Sequence, residues 1–436
     1  MTDAALRWLH RRFGTEACRL WVGPSRLVVS VARYDSVAEA LESAPDRPTD
    51  GDARVLYRGA TALQYLPWSE ETKEARAQFS KLLGSPDALR AVHAVTVSTA
   101  MRETRNWWRA PVDVYAELAP LAYDVVGECV FRKRWAALSA RVRPAHEHVV
   151  RNAARFNVFR GPLVAGYADF ADAARRLRAG FAQALEQHHA AARADPAALE
   201  GDASLLTGVV ALARDGSGRF DVDAGVALLM SAWDGAVTTT HAALAWALYH
   251  LAKFQHVQEK LLRELDGAVG RALPPTIEDV RKLPLLHAFI QESMRAAPPM
   301  PVIARVSRGA DLTVEGRHVP RGATIVAATS VTCADPDAFP QPTYFRPERF
   351  LGESVEAVNA RARWIAFGAG PRACPGAAFA LTEMKAALAI VMQRYAVRVS
   401  HNGPLDGVET RVLAGVAVPA EPLELVFTRR ESERAL

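Results

Sequence analysis

Cys374 is the residue in this sequence best placed to do chemistry. It sits in FGAGPRACPGAAF, residues 367–379, a turn of glycines and prolines with Arg372 two positions before it. Two chemistries compete for such a loop. Gly368, Gly370 and Ala373 satisfy the loose phosphate-cradling pattern G-x-G-x-x-[GA]. Alternatively, the loop presents the Cys374 thiolate to a metal. A dinucleotide loop needs a strand before it, a helix after it, and a further strand carrying an acid about twenty residues on. Only about sixty residues follow this loop, and no Asp or Glu closes a second strand near position 395. That argues against the phosphate reading.

A thiol becomes a strong anionic ligand only where its charge is stabilised. Backbone N–H groups in a glycine-rich turn do this, and so does the N-terminus of a helix beginning near Gly376. Gly368, Gly370 and Gly376 would let the backbone pass close to a flat cofactor face where a side chain would collide. Arg372 is placed to pair with a cofactor carboxylate. The other cysteines, Cys18, Cys129 and Cys333, are widely spaced and form no C-x-x-C pair. This excludes a zinc framework and a disulfide scaffold, and it fits a reducing cytoplasm. A single cysteine ligand without companions points to haem, whose porphyrin supplies the other four bonds.

Phe367, Gly368, Gly370, Arg372, Cys374 and Gly376 match F-G-x-G-x-R-x-C-x-G, and the chain here resembles the haem-thiolate monooxygenases of the cytochrome P-450 superfamily. Glu292 and Arg295 in QESMR match that family's E-x-x-R, and Phe345 to Phe350 (FRPERF) match its P-E-R-F segment. The order and spacing hold over essentially the whole chain. The resemblance implies haem b on Cys374 as axial iron ligand. It implies a structural Glu292–Arg295–Arg349 triad locking the cysteine loop, and propionate contacts from Arg372, Arg305 and Arg76. At Arg76 the family expects Trp or His four residues earlier, whereas Thr72 stands there and Trp68 lies a further turn away.

In the same resemblance [AG]-G-x-[DE]-T-[TS] falls on Gly235 to Thr240. The alcohol is present as Thr239, but Thr238 replaces the acid. A threonine hydroxyl can hold a water but cannot supply a proton at neutral pH as a carboxyl-linked chain can. Asp234, one turn earlier, is either a displaced substitute or a residue facing solvent or a nearby cation. The implied function is insertion of one oxygen atom from dioxygen into a hydrophobic small molecule, with electrons from a separate ferredoxin and reductase. The missing acid keeps open an atypical haem-thiolate enzyme (peroxygenase, isomerase or dehydratase), and a non-catalytic haem-binding sensor or carrier is a further alternative. The substrate pocket is expected around residues 55–70 and 156–172, the face from Ala232 to Thr239, and Val302 to Ala304.

The elements that must position these residues are mostly helical. The 436 residues are half hydrophobic and 23% charged, an ordinary globular composition. The net charge of +5 reflects a general preference for arginine and implies no nucleic-acid partner. Residues 1–14 read as an amphipathic helix, without the apolar run of a signal peptide or the ~20 apolar residues of a membrane anchor. A soluble, cytoplasmic, monomeric protein is therefore expected. Residues 18–34 read as two strands around a Gly-Pro turn, followed by a helix at 35–43. From 70 to 270 helix-period spacing dominates. Breaks are expected near Gly84-Ser85-Pro86, Gly161-Pro162, Asp195-Pro196 and Asp215 to Gly218. Residues 222–254 form one long apolar helix, roughly 50 Å at ~1.5 Å per residue. A helix at 283–296 stops before Pro298, short strands occupy 301–332, and a helix at 376–394 follows the cysteine loop. The expected fold is mainly α with a minor β subdomain. In the resemblance it is the cytochrome P-450 fold, a single domain over 1–436, with a long central helix over the haem and the cysteine loop on the opposite face.

Overall fold

The computed structural model describes residues 3–14, 17–22, 26–48, 63, 66–158, 164–195, 204–214, 217–401 and 408–430. The Gly23-Pro24 turn, the Gly161-Pro162 break, most of the 55–65 stretch and part of 156–172 lie outside the described residues.

The described helices of eight residues or more are α1 (Asp3–Phe13), α2 (Tyr34–Ser43), α3 (Glu70–Leu83), α4 (Pro86–Glu103), α5 (Ala119–Phe131), α6 (Trp135–Val158), α7 (Tyr167–Ala194), α8 (Leu205–Leu212), α9 (Val222–Lys253), α10 (Gln255–Ala268), α11 (Pro284–Ala296), α12 (Val355–Ala362) and α13 (Ala377–Arg394). Local chemistry sets many of their ends. Ser69, Ser85 and Ser204 accept from backbone N–H groups of the first turns of α3, α4 and α8, and Pro86 opens α4. Asp221 does the same for α9, accepting from Asp223 N and Ala224 N.

The central element is α9. It packs against α5, α7, α11 and α13, and from His241 to Ala252 every residue is buried. Such a helix, apolar on all sides, is stable only inside a large core. Its middle differs: Ala232, Asp234, Gly235, Ala236, Thr238 and Thr239 retain accessible surface, and a Cβ at Gly235 would meet nothing within 4 Å. This accessible stretch, in the interior of the core helix, is where α9 faces open space.

The sheet part is small. A four-stranded sheet runs in the order β1 (Cys18–Val22), β2 (Arg26–Val31), β7 (Thr324–Ala327), β4 (Ile303–Val306), with β2 and β7 parallel. A second sheet orders β3 (Val112–Asp113), β11 (Glu424–Arg429) and β8 (Tyr395–Val399). Two hairpins complete it, β5 (Leu312–Val314) with β6 (Arg317–Val319) and β9 (Thr410–Leu413) with β10 (Val416–Pro419). Pro301 and Val302 link α11 to the start of β4, the strand that carries the buried Arg305. Between the strands expected at 301–332 and the cysteine loop the structure adds α12, whose eight residues VEAVNARA are capped by Ser354.

Candidate active site

The cysteine loop is held by its own backbone. Cys374 N donates to Phe367 O at 2.8 Å, Gly368 N to Ile365 O at 2.8 Å, and Ala373 N to Gly370 O at 2.9 Å. Gly368 and Gly370 have φ of +73° and +68°, the left-handed region that favours glycine. At Gly370 the close approach is to protein rather than to a cofactor face. A Cβ there would lie 2.7 Å from Leu41 O and 2.8 Å from Glu42 Oε2. The loop is thus seated on the C-terminal end of α2. Phe367 meets Trp364 edge-on, and the Trp364 indole donates to Gln291 O at 3.0 Å, which ties the loop to α11.

Cys374 itself is accessible, yet protein surrounds it on most sides. Desolvation pushes its thiol pKa up, while the Gly376 N–H, Arg76 and Arg47 pull the other way. Buried Arg76 donates to Ala373 O at 2.8 Å, the carbonyl just before the cysteine.

Four guanidinium groups converge beside this loop. Burial, then Arg47, Arg372 and Arg76, hold the Arg305 pKa down at about 9. Burial, then Arg76 and Arg47, lower Arg372 to about 10, against a small opposing pull from Asp46. Arg76 is lowered by burial and Arg47 in the same way. Arg305 is 1% exposed, and its Nε has no hydrogen-bond partner. Arg372 turns fully inward, donating to the carbonyls of Pro45 (2.8 Å), Leu63 (3.1 Å) and Leu66, with Trp68 stacked at 4.9 Å. Leu63 N in turn donates to Ser231 Oγ of α9 at 3.1 Å. Like charges buried together repel, so this cluster suits a ligand bearing carboxylates.

Glu292 of α11 lies between two arginines. Arg295 donates Nε and Nη2 to its two oxygens at 2.8 and 2.9 Å, and Arg349 Nε stands 3.0 Å from Oε2. All three are buried, and Arg349 also donates to Pro340 O and Tyr344 O. Arg346 N donates to Glu292 Oε1 at 2.8 Å. The group joins α11 to the segment that precedes the cysteine loop.

On α9 the Thr238 hydroxyl donates to Asp234 O at 3.1 Å and the Thr239 hydroxyl donates to Gly235 O. Each hydroxyl proton is thereby committed to the helix, and its lone pairs remain as acceptors. The Asp234 carboxylate is partly exposed, and its Oδ1 lies 3.3 Å from His146 Nε2.

A family model described as Cytochrome P450 matches residues 1–427. This chain belongs to the cytochrome P450 family. It is 30% identical over 204 residues to tabersonine/lochnericine 19-hydroxylase of Catharanthus roseus, covering 46% of this chain and 40% of that protein. It is 35% identical over 189 residues to human cytochrome P450 4F2, covering 42% and 36% respectively. These matches therefore span well under half the length of either relative. Among solved structures it resembles a zebrafish cytochrome P450 determined with abiraterone, with TM-score 0.82, 23% identity, and coverage of 98% of this chain and 100% of that one. The P450DA heme domain gives TM-score 0.81 at 18% identity, covering 99% and 92%.

The P450 cofactor is haem b, and the residues present fit it. Cys374 offers a thiol with an N–H donor and cations beside it, and the arginine cluster offers positive charge for two propionates. Sequence reasoning missed Arg47 in this P450, and it missed Tyr123 and His146 beside Asp234; no local pattern marks any of them. Near the loop in sequence, Arg361, Arg363 and Lys385 are the residues expected to form a basic patch for an acidic ferredoxin, with Arg372 turned inward. In the structure none of the three is fully exposed. Arg372 is buried, half-buried Lys385 reaches Val280 O, Arg361 donates to Phe350 O and Gly352 O, and Arg363 donates to Asp337 O. Among the described residues no helix is long and apolar enough to cross a membrane.

Proposed function

We propose that this chain is a haem-thiolate monooxygenase acting on a hydrophobic small molecule as a single catalytic unit over residues 1–436. One atom of dioxygen enters a substrate C–H bond, and two electrons and two protons reduce the other to water. The observation that carries the reading is the Cys374 thiol, set in a glycine turn with the Gly376 N–H, Arg76 and Arg47 beside it. When bound there, haem supplies the activation of dioxygen.

The chain's own residues do the rest. Cys374 would hold the iron and Arg305, Arg76 and Arg372 the propionate edge, while Glu292, Arg295 and Arg349 keep the loop in register with α11. The open stretch of α9 excludes bulk water and orients the substrate. Thr239 and Thr238 hold a water by acceptance, since their own protons are bound to backbone carbonyls. The hydroxylase named among the relatives supports this reaction class. In this reading the electrons come from a separate ferredoxin and its reductase, as in the resemblance.

The reduced carbon monoxide complex is expected to absorb near ~450 nm, and Cys374→Ser is expected to abolish that band. An unchanged spectrum in the variant removes the assignment. Thr238 in the acid's place favours one second reading, a peroxygenase. Single turnovers with peroxide against reductant plus dioxygen separate the two: product from dioxygen supports the monooxygenase, and product from peroxide alone supports the rival.

A further inference from the structure

A series of side chains from three helices leads to Asp234. The Tyr123 hydroxyl of α5 lies 2.8 Å from His146 Nδ1 of α6, and His146 Nε2 lies 3.3 Å from Asp234 Oδ1 of α9. His146 is 1% exposed and Asp234 24% exposed. Trp233 stands edge-on to the imidazole at 6.2 Å, and the Arg143 guanidinium lies over the Tyr123 ring at 5.3 Å.

Donor and acceptor chemistry fixes the direction of this chain. A carboxylate oxygen only accepts, so a proton shared across this contact lies on His146 Nε2. In the neutral imidazole Nδ1 then has a lone pair, which accepts from the Tyr123 hydroxyl. The far end is closed to exchange with water: Tyr123 is buried, and desolvation, then Glu147, raise its pKa far above the ordinary phenol. A chain that ends on a buried phenol carries no protons inward from bulk water. What it does is hold the carboxylate still.

On the monooxygenase reading, we propose that His146, backed by Tyr123, is a positioning residue that fixes the Asp234 carboxylate on the open stretch of α9, where it exchanges the protons Thr238 cannot supply. Asp234 and Thr238 are four residues apart, so both lie on one side of the helix. The Thr238 and Thr239 hydroxyls, committed to backbone carbonyls, accept but do not donate. The carboxylate takes a proton from water and passes it to a water held by those hydroxyls. It ends unchanged, with one proton moved.

Four variants test this. Gln at position 146 retains one donor and one acceptor, whereas Leu retains neither. Product formed per reductant consumed is expected to fall about tenfold in both His146→Leu and Asp234→Asn, with the electrons recovered as peroxide. His146→Gln is expected to recover most of the loss relative to His146→Leu, and Tyr123→Phe to fall between them. Every variant is scored only after its ~450 nm band and its substrate-induced Soret shift match wild type. Should His146→Leu fail to fold, Tyr123→Phe and Asp234→Asn carry the test. A readout independent of turnover is the imidazole tautomer: histidine 15N spectra, with His146 assigned from His146→Gln, are expected to show the proton on Nε2. Unchanged coupling in Asp234→Asn, equal losses in the Gln and Leu variants, or a proton on Nδ1 overturns the proposal. A wild-type protein lacking the ~450 nm band would instead overturn the haem-thiolate reading itself.

Discussion

Arg305 shows how a single residue reports what a site is built to hold. Its guanidinium is buried among Arg47, Arg372 and Arg76, and its pKa is held down at about 9, mainly by desolvation. For a base whose folded pKa lies below its unfolded value, keeping the charge costs stability at every pH under the folded pKa. At neutral pH the haem-free fold therefore bears the full cost, and a dianionic ligand removes it. This yields a prediction with two opposite signs. Arg305→Met should raise the Tm of the haem-free protein by about 2 °C or more, because a buried unpaired charge is gone. The same variant should lose haem faster to an excess of apomyoglobin. A lower Tm in the haem-free variant would show that Arg305 is already well paired within the protein. Arg305, Arg372 and Arg76 were each legible from the sequence through their neighbours. Arg47 was not, since PDRP carries no pattern and its role comes from tertiary convergence alone.

Elements with a strong local signal were read from the sequence nearly to the residue. The apolar run gave α9 as 222–254 against Val222–Lys253, and the proline stop gave α11 as 283–296 against Pro284–Ala296. Helix α12 was hidden because a glutamate, an asparagine and an arginine interrupt its eight residues, and only Ala357 and Ala360 are buried. What joins elements is less legible than the elements. Glu292 and Arg295 look like an ordinary helix pair until Arg349 arrives from 57 residues away in the chain. Because all three are buried, removing the carboxylate leaves two uncompensated cations. Glu292→Ala should cost about 3–5 kcal/mol and give mostly haem-free or insoluble protein. Soluble, fully haem-loaded variant with slowed turnover would contradict the structural role. Helix α13 holds a second buried carboxylate, Glu383, 0% exposed and with no hydrogen-bond partner for either oxygen among the described residues. Desolvation pushes its pKa up to about 8. A carboxyl raised above its unfolded value leaves the fold unpenalised below the unfolded pKa and loses stability as pH rises toward 8. Glu383→Gln should accordingly match wild type near pH 4.5 and gain on it by up to about 1.4 kcal/mol per pH unit toward pH 8, read from urea midpoints. A gap that does not grow with pH would mean that the carboxylate has a partner.

At the scale of the whole molecule, the proposed chemistry needs electrons to arrive from another protein at the face where Cys374 lies closest to the surface. The structure redraws that face. The arginines near the loop in sequence are bound to carbonyls, whereas α3 runs directly beside it. The Ser80 hydroxyl donates to Pro375 O at 3.4 Å, and a Cβ at Gly376 would sit 3.7 Å from Leu83. Lys81, between those two contacts, is exposed. With a net charge of +5 the molecule as a whole also attracts acidic partners. Steering by exposed charge is screened over ~8 Å at physiological ionic strength, so electron transfer from an acidic ferredoxin should slow as salt rises from about 0.05 to about 0.3 M. Lys81→Glu should lower the rate at low salt, flatten its salt dependence and converge on wild type at high salt. Turnover driven by peroxide needs no docking and should be insensitive to both changes. If the ferredoxin-supported rate were indifferent to salt and to Lys81→Glu, electrons would have to enter through a different face, and the contact between α3 and the cysteine loop would serve only to hold the loop.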